Sequence, residues 1–293
     1  MVEPATAPSP ETRSREPDPV DDARMPFLEH LRELRQRLRN AIIALIAGFL
    51  VAYAFHEEIF VLLLQPLLKV WQARAAEHPD FPAPELYFKS LAEPFWTYLS
   101  LSFWAGLFVA APFAFHQLWK FVAPGLYQHE KRWAIPFAVA SGMFFAVGAA
   151  FCYFMVLPYA YDFFLGYADA NLASMNSLIG EFRIGSADVA LRPVLMMQDY
   201  LDLSKRLLLG FGLVFEMPLV IFFFSVIGVV THRGLWKFNR YAIVLAFVFA
   251  AILTPPDPVS QVAMAIPLVA LYNLSIGVSW LVTRRRERRD AVA

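Results

Sequence analysis

The longest uncharged stretch of the chain contains residues 133–160, WAIPFAVASGMFFAVGAAFCYFMVLPYA. A helix needs about 20 apolar residues to cross the hydrocarbon core of a bilayer, and this run is longer. The whole 293-residue chain has a similar character, with 58% hydrophobic and 17% charged residues and a mean hydropathy of +0.49. The sequence therefore predicts an all-α membrane protein, since a helix satisfies its own backbone polar groups inside lipid.

Six apolar runs are predicted to be transmembrane helices. They cover residues 39–56, 95–119, 133–160, 206–230, 239–253 and 259–281. The fifth run is short, because a helix over residues 239–253 rises only about 22 Å against a hydrocarbon thickness of roughly 30 Å. Links are predicted before it over Thr231–Phe238 and after it in Thr254-Pro255-Pro256-Asp257-Pro258, where the prolines cannot continue a helix.

The two ends of the chain are more polar than the part between them. Residues 1–24 are rich in Pro, Glu, Asp and Arg and are predicted to form a disordered cytoplasmic tail. An amphipathic helix is expected to begin at Met25-Pro26, where apolar residues start to recur at helical spacing. Residues 25–283 form the predicted membrane domain, and residues 284–293 form a basic cytoplasmic tail.

The positions of Lys and Arg predict the orientation in the membrane. Sixteen of them lie next to the spans on one side, and seven lie on the other side in the long loops 57–94 and 161–205. Both termini are therefore predicted to be cytoplasmic, and the two long loops are predicted to face outside.

Composition excludes several functions. The net charge is zero at pH 7, so there is no general attraction for nucleic acid. Cys152 is the only cysteine, which excludes an internal disulfide and a cysteine-rich zinc site. His116, His129 and His232 lack ligand spacing and no nucleotide-binding motif occurs, so neither a metal nor a cofactor is predicted.

Glu216 is the strongest candidate for a functional residue. It lies in FGLVFEMP, residues 211–218, near the middle of the fourth predicted span. An ionisable group at that depth is costly and should face protein or a water-filled cavity. It is either a functional site or a protonated group that bonds a neighbouring helix, and Pro218 is expected to kink the helix beside it.

Two further carboxylates lie close to the membrane surface. Glu33 can form an ion pair with Arg37 one helical turn later, and its spacing favours this ordinary structural role. Glu130 begins the third predicted span, where a carboxylate complements the helix dipole. Phe121 and Tyr127 in the preceding loop are expected in the interfacial aromatic zone.

Two polar residues follow the fifth span. Asp257 is expected to cap the sixth helix. Gln261, one turn later, is a polar group in lipid that is able to hydrogen-bond a partner helix.

Four blocks fall in order along the chain. They are FLEHLRELRQR (27–37), FVAPGLYQHEKR (121–132), FGLVFEMP (211–218) and LTPPDPVSQ (253–261). Together they resemble TatC, the multispanning receptor subunit of the twin-arginine protein translocase. The resemblance covers about residues 25–283 and implies six helices in a cup-like arrangement, in the inner membrane of a bacterium.

The resemblance implies a receptor for the signal peptide of folded cargo. Glu33 and Glu130 match carboxylates that receive the two arginines of that peptide, and Phe121 matches an aromatic residue tied to its recognition. Arg35 and Tyr127, in the same two blocks, are assigned to the same site. The chemistry is consistent, because a guanidinium forms a bidentate pair with a carboxylate and Lys cannot reproduce that fork.

The resemblance also implies an intramembrane site and several partners. Glu216 matches a buried glutamate on the concave face of the cup. Gln261, Asp257 and Pro255 fall on the docking surface for the single-span subunits TatA and TatB, beside the fifth and sixth helices. Self-association in a multi-copy receptor complex and transport driven by the proton-motive force, without enzymatic activity, are further implications.

Two alternatives come from other functional classes. A proton-coupled small-solute transporter would use Glu216 as its proton site, and it predicts more polar residues at midplane and broken helices in pairs. A membrane enzyme would need two or more convergent polar groups at one depth, and the sequence shows no such cluster.

Overall fold

The computed structural model describes residues 19–77, 81, 83–122, 134–166, 176–177, 180–181, 194–255 and 258–290. The helices of this part are α1 (Pro19–Ala54), α2 (His56–Glu77), α3 (Glu93–Val122), α4 (Ala134–Phe151), α5 (Leu157–Leu165), α6 (Met197–Val214), α7 (Met217–Val226), α8 (His232–Leu253) and α9 (Pro258–Asp290). A π-helical segment, Cys152–Val156, connects α4 to α5. Seven helical segments of the described chain are long and apolar enough to cross a membrane, which confirms the predicted class.

Two short strand pairs occur among the described residues. β1 (Leu86–Tyr87) pairs in parallel with β4 (Leu195–Met196), and β2 (Asn176–Ser177) pairs antiparallel with β3 (Gly180–Glu181). The β1–β4 pair ties the segment before α3 to the segment before α6.

α1 and α3 run antiparallel along most of their length. Gly48 packs against Gly106, and Arg37 lies within electrostatic range of His116, so the two pairs follow in opposite order along the helices. His56, the first residue of α2, stacks edge-on against Tyr98 near the start of α3. We name the end of the molecule that carries Arg37 and Glu33 the Glu33 end, and the opposite end the Tyr98 end.

The later helices alternate in direction in the same way. Between α3 and α4 the contacts are Phe108 with Phe145 and Trp119 with Phe137. Between α4–α5 and α6 they are Gly148 with Phe211 and Tyr161 with Ser204. Between α8 and α9 they are Phe247 with Gln261 and Leu235 with Tyr272. In each of these three pairs the helices therefore pack antiparallel.

The crossing of α1 and α3 depends on a pair of glycines. A Cβ atom at Gly48 would lie 2.6 Å from the carbonyl oxygen of Gly106, and a Cβ atom at Gly106 would lie 2.5 Å from the backbone nitrogen of Phe49. No side chain fits in either place, so glycine lets the two backbones approach this closely.

α2 lies across the Tyr98 end and is held there by hydroxyl groups. Pro66 inside α2 has no N–H, so the carbonyl of Leu62 loses its helical donor. Tyr153 of the π-helical segment donates to that carbonyl at 2.7 Å, and Tyr200 of α6 donates to the next one, Leu63. The two phenols thus supply hydrogen bonds where the proline interrupts the helix.

An ion pair fixes the other end of α2 to α5. Arg74 Nε donates to Asp162 Oδ1 at 3.0 Å, and Arg74 Nη2 donates to the Asp162 carbonyl at 2.6 Å. Nearby, the fully buried Trp71 packs against Phe81 with 5.1 Å between ring centroids.

Several predicted boundaries are wrong. α1 begins at Pro19 rather than Met25, since a helix extends easily through polar residues at its end. α2 occupies much of the predicted loop 57–94, because Leu63, Leu67 and Trp71 find a buried surface.

The later boundaries differ as well. α6 begins at Met197, inside the predicted loop 161–205, and the short strand Leu195–Met196 directly precedes it. α8 begins at His232, inside the predicted link, and has 22 residues; its apolar part still begins only after Arg240.

Candidate functional site

Glu33 and Arg37 form the predicted ion pair at the Glu33 end of α1. Arg37 Nη2 donates to Glu33 Oε1 at 2.9 Å, and each side chain is 27% exposed. Arg37 Nε is buried and has no hydrogen-bond partner among the described residues. The pair therefore places a carboxylate and a guanidinium in contact at a site that remains accessible.

The last turns of α3 lie at the same end. His116 is within electrostatic range of Arg37 and Lys120, and Phe121 is half-buried in the final turn. Arg35 is exposed on α1. Two further predicted site residues, Tyr127 and Glu130, lie outside the described residues.

Glu216 lies at a break in what was predicted to be one continuous span. α6 ends at Val214 and α7 begins at Met217, so Phe215 and Glu216 form a turn between them. Pro218 in the first turn of α7 has no N–H to donate, which accounts for the interruption. The predicted distortion beside Pro218 is confirmed.

The Glu216 side chain is buried against α4. It is only 7% exposed, and its carboxyl lies within reach of the Ser141 hydroxyl and of the Phe145 backbone. Its Oε1 atom has no hydrogen-bond partner in the described part of the chain. Ser141, which is completely buried, accepts a 2.7 Å hydrogen bond from Trp119 Nε1 of α3.

A second polar contact joins α9 to α8. Gln261 Nε2 donates to the backbone carbonyl of Phe247 at 3.1 Å. Pro255 is exposed in the link between the two helices, and Asp257 lies outside the described residues. α8 buries only Ala246 and Ala250, so most of its apolar surface has no partner within the described chain.

Sequence reasoning missed three polar residues. Ser141 and Trp119 gave no signal, because hydroxyl and indole groups are common in apolar spans. Lys205 was assigned to an outer loop, but it lies in α6 and is 5% exposed. Its Nζ atom lies 2.8 Å from Asp202 Oδ1 and 2.9 Å from Ser100 Oγ, and the i,i+3 spacing with Asp202 was the available signal.

Known protein families provide the identification. Residues 29–267 match the family described as Sec-independent protein translocase protein (TatC). The chain belongs to the TatC family. The matched range contains Glu33, Phe121, Glu216 and Gln261, and the predicted resemblance to TatC is confirmed.

TatC proteins from several bacteria are similar to this chain over most of its length. The Desulforapulum autotrophicum protein is 40% identical over 256 residues, which are 87% of this chain and 84% of that protein. The Koribacter versatilis protein is 39% identical over 91% of this chain and 90% of its own length. The Aquifex aeolicus protein is 38% identical over 90% of this chain and 98% of its own.

A solved TatC structure has the same fold. The crystal structure of the twin arginine translocase receptor TatC superimposes with a TM-score of 0.69 and 37% sequence identity, over 87% of this chain and 99% of that one. As a TatC protein, the chain is a multi-pass membrane subunit of a Sec-independent protein translocase, and it is not an enzyme.

Proposed function

We propose that this TatC protein is the receptor for the twin-arginine signal peptide of folded cargo, and that Glu33 and Glu130 bind its two arginines. The observation that carries the proposal is the Glu33–Arg37 pair, a partly exposed carboxylate that accepts a guanidinium at 2.9 Å. A helical i,i+4 pair contributes only about 0.3–0.5 kcal/mol, so an arriving arginine displaces Arg37 at little cost.

The other proposed site residues are Phe121, Tyr127 and Arg35. Phe121 lies in the last turn of α3 at the Glu33 end, and its ring would offer an aromatic surface to the residues beside the arginine pair. Tyr127 would extend that surface. Arg35, exposed on the turn of α1 between Glu33 and Arg37, would contact the peptide backbone as a hydrogen-bond donor.

The alternating helix directions support six membrane crossings within a cup of helices. His56 and Tyr98 lie at one level, so the chain between them leaves and returns at the same end. α2 would then lie along the outer surface, with its charged first turn at Glu57 and Glu58, and would not cross the bilayer. Both termini would fall on the Glu33 side, which the distribution of Lys and Arg assigns to the cytoplasm of a bacterial inner membrane.

The apolar part of the signal peptide is proposed to move along the cup toward Glu216. This carboxyl lies at a break between two helices, and its Oε1 atom lacks a partner among the described residues. A buried polar atom without a partner is costly, so a donor group that reached Oε1 would be bound favourably.

Single-span subunits of the TatA and TatB type are the proposed partners at α8 and α9. The exposed apolar side chains of α8 include Val244, Val248 and Ile252, while only two alanines of this helix are buried. Such a face suits another helix in the membrane, and Pro255 and Gln261 lie near it where α8 meets α9. Asp257, between them in the sequence, is a further proposed contact residue. Several receptor copies would assemble with these partners, and the proton-motive force would drive passage.

The experiment is crosslinking of a twin-arginine signal peptide to the Glu33→Ala/Glu130→Ala double variant in membranes. Loss of a charge-assisted pair costs about 1.5–3 kcal/mol, so each substitution should weaken binding by roughly tenfold to a hundredfold. Glu29→Ala is the matched control, because Glu29 is an exposed carboxylate one turn earlier on α1. Crosslinking of the double variant at the level of the Glu29→Ala control would remove the assigned roles.

The alternative of a proton-coupled solute transporter has weaker support. It also places its chemistry on Glu216, but membership of the TatC family favours protein transport. Uptake of a small solute by the purified protein in vesicles would favour the transporter instead.

A further inference from the structure

We infer that Gln117 of α3 is a positioning residue for Arg37: its side-chain carbonyl accepts the Arg37 guanidinium when an arriving arginine takes over Glu33. The inference deepens the proposed function and rests on it, because the exchange at Glu33 belongs to signal-peptide binding. The pairing of Arg37 with Gln117 also has a test that needs no cargo.

The contact between Gly48 and Gly106 determines which residues of α1 and α3 face each other. Arg37 lies eleven residues before Gly48, and Gln117 lies eleven residues after Gly106. Eleven residues of an α-helix make three turns to within about 20°, so each residue is on the same face as its glycine. Because the two helices are antiparallel, both residues are displaced by the same length toward the Glu33 end. Arg37 and Gln117 therefore occupy facing positions at one level of the helix pair.

Each of the two side chains has one buried polar atom without a partner. Arg37 donates through Nη2 to Glu33 Oε1 at 2.9 Å, but its Nε–H is buried and unpaired among the described residues. Gln117 is 6% exposed, and its Oε1 atom also lacks a hydrogen-bond partner in the described part of the chain. The first atom is a donor and the second is an acceptor. Since an unpaired buried polar atom is costly, a movement that joins the two is favourable once Glu33 releases the guanidinium.

The pairing gives Arg37 a second acceptor when it leaves Glu33. Without one, a partly buried guanidinium would lose its carboxylate and remain as an uncompensated charge. Gln117 is neutral, so its hydrogen bond to the guanidinium is weaker than the pair with the ionised Glu33. Arg37 therefore stays on Glu33 while the site is empty and moves to Gln117 when a second arginine binds.

The test is equilibrium binding of a fluorescent twin-arginine signal peptide to the purified full-length protein in lipid nanodiscs. Gln117→Leu has a similar size but no acceptor, and it should weaken binding by roughly tenfold, because a hydrogen bond to a charged group is lost. Gln117→Glu should strengthen binding, because the new carboxylate draws Arg37 away from Glu33 in the empty site. Thr97→Val is the matched control and should leave binding unchanged, since Thr97 is a buried polar residue of the same helix at the Tyr98 end.

The same two Gln117 substitutions in an Arg37→Leu background identify the cause of any change. Both effects should disappear there, because no guanidinium remains to be received. A merely structural role of Gln117 would give the same loss in both backgrounds. Direct attraction of the peptide by the new carboxylate would keep the gain without Arg37. Either outcome, or wild-type binding in Gln117→Leu, would overturn the inference.

Thermal unfolding of the empty protein tests the pairing without cargo. Glu33→Ala leaves Arg37 with Gln117, and Gln117→Leu leaves it with Glu33, so each change alone should lower the melting temperature only slightly. The double variant should lose more than the sum of the two, because Arg37 then has neither acceptor. A loss equal to the sum or smaller would overturn the inference. A loss greater than the sum, together with unchanged peptide binding in Glu33→Ala/Glu130→Ala, would reject the proposed function and retain Gln117 as the partner of Arg37.

Discussion

Replacement of Gly106 by alanine tests the packing of α1 on α3. The added Cβ atom would lie 2.5 Å from the Phe49 nitrogen, 2.6 Å from the Phe49 Cα atom and 2.9 Å from the Gly48 carbonyl carbon. All three are backbone atoms, so no side-chain rotation relieves the overlap. Ordinary contact begins near 3.4 Å. The two helices must therefore separate by about 1 Å at the crossing, which also forfeits part of the dispersion energy of their neighbours.

The expected cost follows from that separation. Overpacking of a well-packed interface costs about 1–3 kcal/mol. For a chain of this size each kcal/mol lowers the melting temperature by roughly 2–4 °C, so a decrease of about 2–12 °C is expected. α1 carries Glu33 and α3 carries Phe121, so the same change should also widen the proposed signal-peptide site.

The assay is thermal unfolding of the purified protein in one fixed detergent, with Gly277→Ala as the matched control. A Cβ atom at Gly277 would meet nothing within 4 Å. Alanine there should leave stability unchanged or raise it by up to about 1 kcal/mol, because it favours the helix. An unchanged melting temperature in Gly106→Ala, or an equal decrease in Gly277→Ala, would refute the reasoning.

Three further substitutions test the contacts around α2 and inside α6. Tyr153→Phe removes the donor to the Leu62 carbonyl and should cost about 0.5–1.5 kcal/mol, because this hydrogen bond is exposed; the measurement is amide exchange in α2, which should be faster, and unchanged exchange would contradict the role of the phenol. Arg74→Lys cannot contact the carboxylate and carbonyl of Asp162 together and should expose α2 to protease, whereas wild-type resistance would show that a single charge suffices. Lys205→Met leaves the partly buried Asp202 unpaired and should lower the melting temperature by several degrees. A higher melting temperature would show that the ion pair is not stabilising.

The helical class was predictable from the sequence because apolar runs of sufficient length are a local property. α2 was not, since Pro66 in its middle argues against a helix. The compensation comes from Tyr153 and Tyr200, which are distant in sequence, so no window around Pro66 contains it. The start of α6 was missed for a similar reason: Lys205 resembles a loop residue until Asp202 and Ser100 are seen beside it.

The candidate site was predictable to different degrees. Glu216 stands out as a lone carboxylate in an apolar run, and the Glu33–Arg37 pair follows from helical spacing. The hydrogen bond of Ser141 was not predictable, because its donor, Trp119, lies on another helix. The proposed role of Glu33 came from the four blocks shared with TatC, since its spacing alone favoured an ordinary ion pair.

The π-helical segment Cys152–Val156 absorbs one residue between α4 and α5. A π-turn contains one residue more than an α-helical turn would use. Deleting a single residue there would let α4 continue into α5 as a regular helix, and it would leave the rotation of the following residues nearly unchanged, because the narrower α-turn covers the same angle with one residue fewer. Tyr161 and Asp162 should then keep their contacts with Ser204 and Arg74. The same deletion in a regular part of α4 would rotate everything that follows by about 100° and should break both contacts.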